Sequence, residues 1–296
     1  MIGGLTDIDG IKVGVASNYE AATGLTVVLI EEEGAAAAVE VRGSAPGTRE
    51  TDLLMPGRLV ESVQAIMLSG GSAFGLDAAA GVVRYLEEHE QGFQVGSIRV
   101  PIVPAAVIFD LFIGDSTIRP DAEMGYQACT SASAGLVPEG SVGAGTGATV
   151  AKYYGLTGAV KSGQGSAAVC RGALVVAALV VVNAFGDIYD RSGRLLAGPR
   201  NPETGLMENT AALFKKVDIN GSGGNTTLAA VATNAGLDKS ALTKVCQLAH
   251  DGFARSIWPV HTMWDGDTVF AISKGELSAD VSLVGMMAAE TVSLAI

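Results

Sequence analysis

A chain of 296 residues has room for one large domain or two small ones, and 48% hydrophobic against 17% charged residues is the profile of a well-buried globular body, not a disordered segment. The formal charge of -12, with no cluster of Lys or Arg, argues against a nucleic-acid footprint or an anionic membrane surface and leaves a small molecule or peptide as the expected partner. Three separated cysteines, Cys129, Cys170 and Cys246, form no C-x-x-C, so they read as small buried residues and not as a disulfide framework or a zinc site.

The amino terminus MIGGLTDIDG has neither the basic nor the apolar region of a signal peptide, and a soluble cytoplasmic protein is expected. Short β-rich runs follow at Ile11–Ala16, Leu25–Glu31 and Ala35–Arg42, each bounded by Gly, Asn or charged residues. Gln64–Ser69 predicts a buried strand that passes through GGSAFG into a helix over Leu76–Glu88, where Leu76, Ala79, Val83 and Leu86 keep helical spacing. Further strands fit Ala105–Phe112, Gly158–Lys161, Ala173–Asn183, Thr226–Asn234 and Thr268–Ser273, and helices fit Ala122–Ala132, Lys239–Ala254 and Ala279–Ala295. The longest apolar run, Leu174–Val182, is about half of what a membrane span needs; as a strand it implies burial on both faces. Strand runs with helices between and after them predict layered sheets covered by helices, in a single domain over 1–296 with no low-complexity linker.

Most candidate chemistry fails on spacing. GGSAFG does not place Ser72 in G-x-S-x-G, so that turn reads as a strand-to-helix connection. Gly143–Ala148 (GAGTGA) fits the loose dinucleotide fingerprint but has no convincing strand before it and no acidic residue about twenty positions on. The histidines His89, His250 and His261 never fall four apart in one helix, so no metal site is expected; His89 reads as solvated and His261 as structural before catalytic. Asp265-Gly266-Asp267 reads first as a turn.

The segment GSGGNTTLAAV offers a nucleophile. A threonine hydroxyl is weak at its own pKa, but a threonine that begins a chain carries an α-amine as its base, with an unperturbed pKa of roughly 7.7 to 8.0. Creating that amine requires cutting the Asn225–Thr226 bond, and the flexible approach at 221–224 would let the Thr226 oxygen attack the Asn225 carbonyl.

Agreement over several separated stretches sharpens this expectation. DIDGIKVGVA, EAATGLTVVL, VRGSAPGTRETDLL, LSGGSAFGLDAAAG, GNTTLAAVATN and PVHTMWDGDTVFAI resemble the self-processing L-aminopeptidase/D-esterase and β-peptidyl aminopeptidase family, with motifs nearest its nylon-oligomer (6-aminohexanoate-oligomer) hydrolase branch. The resemblance implies a four-layer αββα sandwich, cleavage into an α chain (1–225) and a β chain (226–296), and an amidohydrolase acting without a cofactor on short peptides, β-peptides or amide oligomers. It implies Thr226 as nucleophile, Asp265 and Asp267 as the acidic pair that orients it, Asn183 as oxyanion donor and Lys152 as a lysine beside the nucleophile. It also implies a homo-oligomer, a tetramer of processed units. Phe109, in PAAVIFDLF, stands where family members place a tyrosine, which implies one polar contact fewer beside the substrate. Two alternatives stay open: an acyltransferase of the ornithine acetyltransferase type, whose Gly, Met and Pro pattern around the threonine is not seen here, and a ligand-binding sandwich without catalysis.

Overall fold

The structure is a computed structural model that describes residues 3–31, 33–214 and 224–296. Of the glycine-rich loop expected at 221–224, only Gly224 falls among the described residues. Ten strands build two large sheets: β1 (Ile11–Asn18), β2 (Thr23–Ile30), β3 (Ala36–Val41), β4 (Thr48–Arg49), β5 (Ala65–Ser69), β6 (Ala105–Val107), β7 (Gln164–Arg171), β8 (Leu174–Asn183), β9 (Thr226–Ala235) and β10 (Thr268–Leu277). One sheet has the order β1-β2-β5-β6-β4 and the other β7-β8-β9-β10-β3. Four helices cover them: α1 (Ala79–Glu88), α2 (Ala122–Thr130), α3 (Lys239–Ser256) and α4 (Val281–Ala295).

The layering follows from the two-residue period of a strand, which sends alternate side chains to opposite faces. In β8, Val176, Ala178, Val180 and Val182 point toward α3 and α4, while Ala177, Leu179 and Val181 point into the space between the sheets. β9 repeats the division, with Ala229 and Val231 on the helix side and Leu228, Ala230 and Ala232 on the other. In β2, Val28 and Ile30 face the second sheet, and Leu25, Val27 and Leu29 meet α1 and α2. Continuous apolar runs are therefore what a strand inside a four-layer αββα sandwich requires, because neither face reaches water.

The helices begin where the chain supplies a cap. Asp121, Asp238 and Asp280 precede α2, α3 and α4, and each carboxylate accepts the N–H of Met124, Ala241 or Leu283, a donor that the first helical turn leaves unpaired.

Several expected elements are corrected. The strand foreseen over Ala105–Phe112 ends at Val107, because β5 ends at Ser69 and the chain then turns, with Ile108 N–H donating to Ser69 O at 2.8 Å. The helix expected from Leu76 is 3-10 over Ser72–Ala78 and becomes α-helical at Ala79. β7, an edge strand of small and polar residues, and a hairpin of Phe93–Val95 with Ile98–Val100 were not foreseen. Cys170 lies at the far end of β7 and is exposed, contrary to expectation, whereas Cys129 and Cys246 are buried. Among the described residues no helix is long and apolar enough to cross a membrane.

The space between the sheets is the most sensitive part of this packing. Leu179→Ala, at a side chain with no exposure, is expected to lower unfolding free energy by about 2–5 kcal/mol, while Leu136→Ala, at 93% exposure, should change it by no more than about 0.5 kcal/mol. Urea unfolding of the two variants checks this, and equal effects would contradict the assigned core.

Candidate active site

Thr226 opens β9, the central strand of the second sheet, between β8 and β10. On one side it pairs with Asn183, the last residue of β8, in antiparallel register; on the other, β9 runs parallel to β10 with Leu228 opposite Thr268, and Asn225 forms an isolated bridge with Asp265. Three segments distant in sequence thus meet at one sheet end, and Asn183, Asn225, Thr226, Asp265 and Asp267 are all buried there.

The chain is continuous through Asn225 and Thr226. The Thr226 hydroxyl donates to the carbonyl oxygen of Asn225, and that oxygen also accepts the N–H of Gly266 at 2.9 Å. The backbone turn at Gly266 packs so closely that a Cβ there would lie 2.7 Å from Thr226 Oγ1 and 2.6 Å from Ala45 O. No larger residue fits that turn without displacing the threonine or the neighbouring loop.

The two aspartates flank this turn with separate partners. Asp265 accepts from Phe185 N at 3.2 Å and from Thr262 N and Oγ1 at 3.0 and 2.5 Å. Asp267 accepts from Thr227 N at 2.6 Å and from His261 N at 3.1 Å, and its Oδ2 lies 2.7 Å from His261 Nδ1. Neither carboxylate bonds to Thr226 directly: Asp267 holds the next residue of the strand, and Asp265 holds the segment before the turn. Burial, then the charge of Asp267, raises the Asp265 pKa above the usual carboxylate range. Residues 42–45 brace the pair from outside, with Arg42 N–H donating to Asp267 O at 3.0 Å and Ala45 N–H to Asp265 O at 2.9 Å.

Lys152 approaches from the other side. Its Nζ donates to Asn183 Oδ1 at 2.8 Å, to Asn183 O at 3.1 Å and to Gly224 O at 3.3 Å. Removing the ammonium from water pushes its pKa down to about 7, although the charges of Asp265 and Asp110 oppose the shift. The Asn183 amide nitrogen donates to Phe109 O at 3.1 Å and Gly224 O at 3.4 Å, and its oxygen also accepts Thr149 N–H at 3.0 Å. The Phe109 ring lies against Gly224, whose φ of +114° suits a residue without a side chain.

The residues that the resemblance implied therefore lie together: Thr226, Asn225, Asn183, Lys152, Phe109, Asp265 and Asp267. A cleft of about 240 Å³ reaches Thr226 past Gly224 and Phe109, with Ser72 on its wall. A narrower pocket beyond Gly224 is lined by Lys152, Phe109 and Asp110. Among the described residues no group of three His, Cys, Asp or Glu side chains is placed to hold a metal ion.

Two contributors, Asp110 and the Gly266 N–H, were not foreseen, and a third, His261, was expected first as a structural residue. Asp110 is buried, accepts Gly71 N–H and the Thr23 hydroxyl at 2.7 Å each, and has its pKa raised by burial; its signal is an acidic residue stranded in the apolar run PAAVIFDLF. His261 is drawn into the site by Asp267 and stacks edge-on to His250 at 4.8 Å. The Gly266 N–H is a backbone donor, and only the glycine between two aspartates hints at it. Other motifs stay outside: Gly143–Ala148 is a buried turn tied to β1 and β2 through Ser17 and Thr26, and His89 stacks on Tyr85 at the end of α1.

Comparison with known proteins identifies the family of the whole chain. The family model described as Peptidase family S58 matches residues 4–295. An uncharacterized aminopeptidase of Mycobacterium leprae is 43% identical over an alignment covering 93% of this chain and 79% of that protein. The 6-aminohexanoate-oligomer endohydrolase of Agromyces sp. is 32% identical, covering 96% and 82%. Among solved structures, the L-aminopeptidase D-Ala-esterase/amidase of Ochrobactrum anthropi superposes with a TM-score of 0.75 at 18% identity, over 100% of this chain and 86% of that one; its fold is described as a variant of the Ntn hydrolase fold. A Burkholderia sp. beta-aminopeptidase gives 0.72 at 21% identity, with the same coverage. With nearly its whole length matched, the chain belongs to peptidase family S58.

Proposed function

We propose that the protein is a self-processing amidohydrolase whose nucleophile is Thr226 after cleavage of the Asn225–Thr226 bond. The observation that carries this reading is the hydroxyl of Thr226 set against the carbonyl of the preceding residue, with the Gly266 N–H donating to the same oxygen at 2.9 Å. Attack of Oγ1 on the Asn225 carbonyl carbon places negative charge on that oxygen, where the Gly266 N–H already points. The C–N bond then breaks, the Thr226 nitrogen takes a proton, and water hydrolyses the ester to an Asn225 carboxylate and a free α-amine.

An uncut threonine lacks that amine and needs another base. Lys152, with a pKa of about 7, is the amine at this site whose neutral form is available near neutrality, and it acts as proton acceptor for the first cut. After cleavage its charged fraction disfavours protonation of the new α-amine, which becomes the base for substrate turnover. Withdrawal of residues 224–225 frees the Asn183 amide N–H and the Lys152 ammonium from Gly224 O, and these groups then serve the oxyanion of a bound substrate. Asp267 and Asp265 position the nucleophile through Thr227 and the turn at Gly266. Substrates are short peptides, β-peptides or ω-amino-acid oligomers cut through an acyl-Thr226 ester, and Phe109 forms an apolar wall. Assembly into a homo-oligomer and cytoplasmic residence complete this reading, and native mass and cell fractionation test them.

Wild-type protein is expected to yield two fragments, the smaller beginning Thr-Thr-Leu-Ala-Ala-Val, whereas Thr226→Ala keeps one chain of 30.0 kDa and hydrolyses no amide. Denaturing mass spectrometry with amino-terminal sequencing decides; a normal cut in Thr226→Ala removes the mechanism. Gly266→Ala should slow processing by about 100-fold, since the added carbon displaces the attacking oxygen. A processing rate equal to wild type would show that the turn has no part in the cut.

A neutral Lys152 is present above its pKa and lost below it. The rate of processing is therefore expected to rise with pH through about 7 and to level off above, and Lys152→Met should both slow the cut and abolish that inflection. The time course of cleavage in freshly refolded chain, followed from pH 5 to 9, provides the check; an inflection unchanged in Lys152→Met rules out this base.

A further inference from the structure

The cleft that ends at Thr226 does not stop at Ser72. At Ala73 it adjoins a wider cleft of about 510 Å³ lined by Arg49, Phe74, Asp77, Arg119 and Asp121, among others. Two arginines line this space. Arg119 lies with its guanidinium carbon 3.8 Å from the centre of the Phe74 ring, and its Nε donates to Ser116 O at 2.8 Å. Stacking and one backbone contact fix the plane of the group and leave its terminal nitrogens for a ligand. Arg49, at the end of β4, is exposed and lines the same cleft. Among the described residues neither arginine forms an ion pair with a carboxylate, although other surface arginines, such as Arg84 and Arg194, do.

The acidic groups of the cleft do not occupy these arginines. Asp121 accepts Met124 N–H as the cap of α2. Asp77 is exposed on the 3-10 turn that leads into α1 and makes no ion pair among the described residues.

We infer that this cleft is a subsite for a carboxylate carried at the carboxyl-terminal end of the substrate, held by Arg119 and Arg49 while the scissile amide lies at Thr226. This rests on the hydrolase reading above and narrows its substrate class to short chains that end in a free carboxylate. Planar guanidinium groups match a carboxylate with two parallel hydrogen bonds, and a carboxamide cannot replace both. A preformed arginine on an aromatic ring, adjoining the cleft that reaches the nucleophile, gives such an end group a fixed place at small cost in side-chain entropy.

The test separates the subsite from the reaction. Pseudopeptides of two, three and four residues, with the first amide reduced to CH₂–NH so that it resists hydrolysis, are prepared with either a free carboxylate or a carboxamide end. Their binding to wild-type protein is measured by calorimetry. At the length that spans the clefts, the carboxylate form is expected to bind about tenfold or more tightly than the carboxamide. Arg119→Gln should reduce that preference severalfold and Arg49→Gln with Arg119→Gln should remove it, leaving carboxamide binding unchanged. Asp77→Asn should strengthen the preference. No preference at any length in wild type, or one that survives in the double variant, overturns the subsite. A preference that depends on the arginines in a protein that cuts neither itself nor any peptide upholds the subsite and removes the hydrolase reading instead.

Discussion

The parallel pairing of β9 with β10 is the constraint on which the rest of the site depends. It fixes Leu228 opposite Thr268 and so brings the residue before β9 level with the residues before β10. Asn225 then bridges to Asp265, Gly266 N–H reaches Asn225 O, and Asp267 reaches Thr227 N. A slip of one residue would exchange the two faces of β9, sending Leu228, Ala230 and Ala232 out of the space between the sheets. Burial on both faces forbids that slip, so the packing of the sandwich and the placement of Thr226 are one requirement. The antiparallel side of β9 adds Asn183 by the same logic, since β8 ends where β9 begins.

Around that frame the charges are set against one another. Asp265, Asp267 and Lys152 all lie where water is scarce, and each makes several hydrogen bonds that offset part of the cost of burial. Lys152 is surrounded by oxygen atoms of Asn183 and Gly224, yet loss of water outweighs these contacts and moves its pKa toward neutrality. Asp265 moves in the opposite direction because burial and the second carboxylate both favour its protonated form. Burial disfavours the charged form of both groups, and the opposed shifts follow from their opposite charges.

Much of the fold was legible because its central strands are long and apolar. LVVAALVVVN and TTLAAVATN cannot avoid burial on both faces, and their place in the sheets follows. What escaped was held by tertiary context. β7 has the small, mixed composition of an edge strand, and the extension of β6 to Phe112 failed because β5 ends at Ser69 and leaves no ladder to continue. The side chains that gather at the candidate site were legible: Thr226 stood out after a glycine-rich approach, and the resemblance supplied Asn183, Lys152 and the aspartates. The backbone donor at Gly266 and the tie between Asp267 and His261 were not, since a peptide N–H has no letter of its own and a histidine does not state which carboxylate it meets. Asp110 could have been suspected, as a charge within an apolar run asks for buried partners.

The partners of the Asn225–Thr226 bond are scattered over a long stretch of sequence, from Lys152 and Asn183 to Gly266 and Asp267. A ribosome delivers them in that order, so a chain still in synthesis holds the threonine long before it holds the turn that grips the preceding carbonyl. Under the processing reading, the cut is therefore a report that β10 has been made and seated. On that reading the site would stay off in a truncated or misregistered product, and fragments left by interrupted translation would carry an inert threonine. On the same reading, folding itself would serve as an activator.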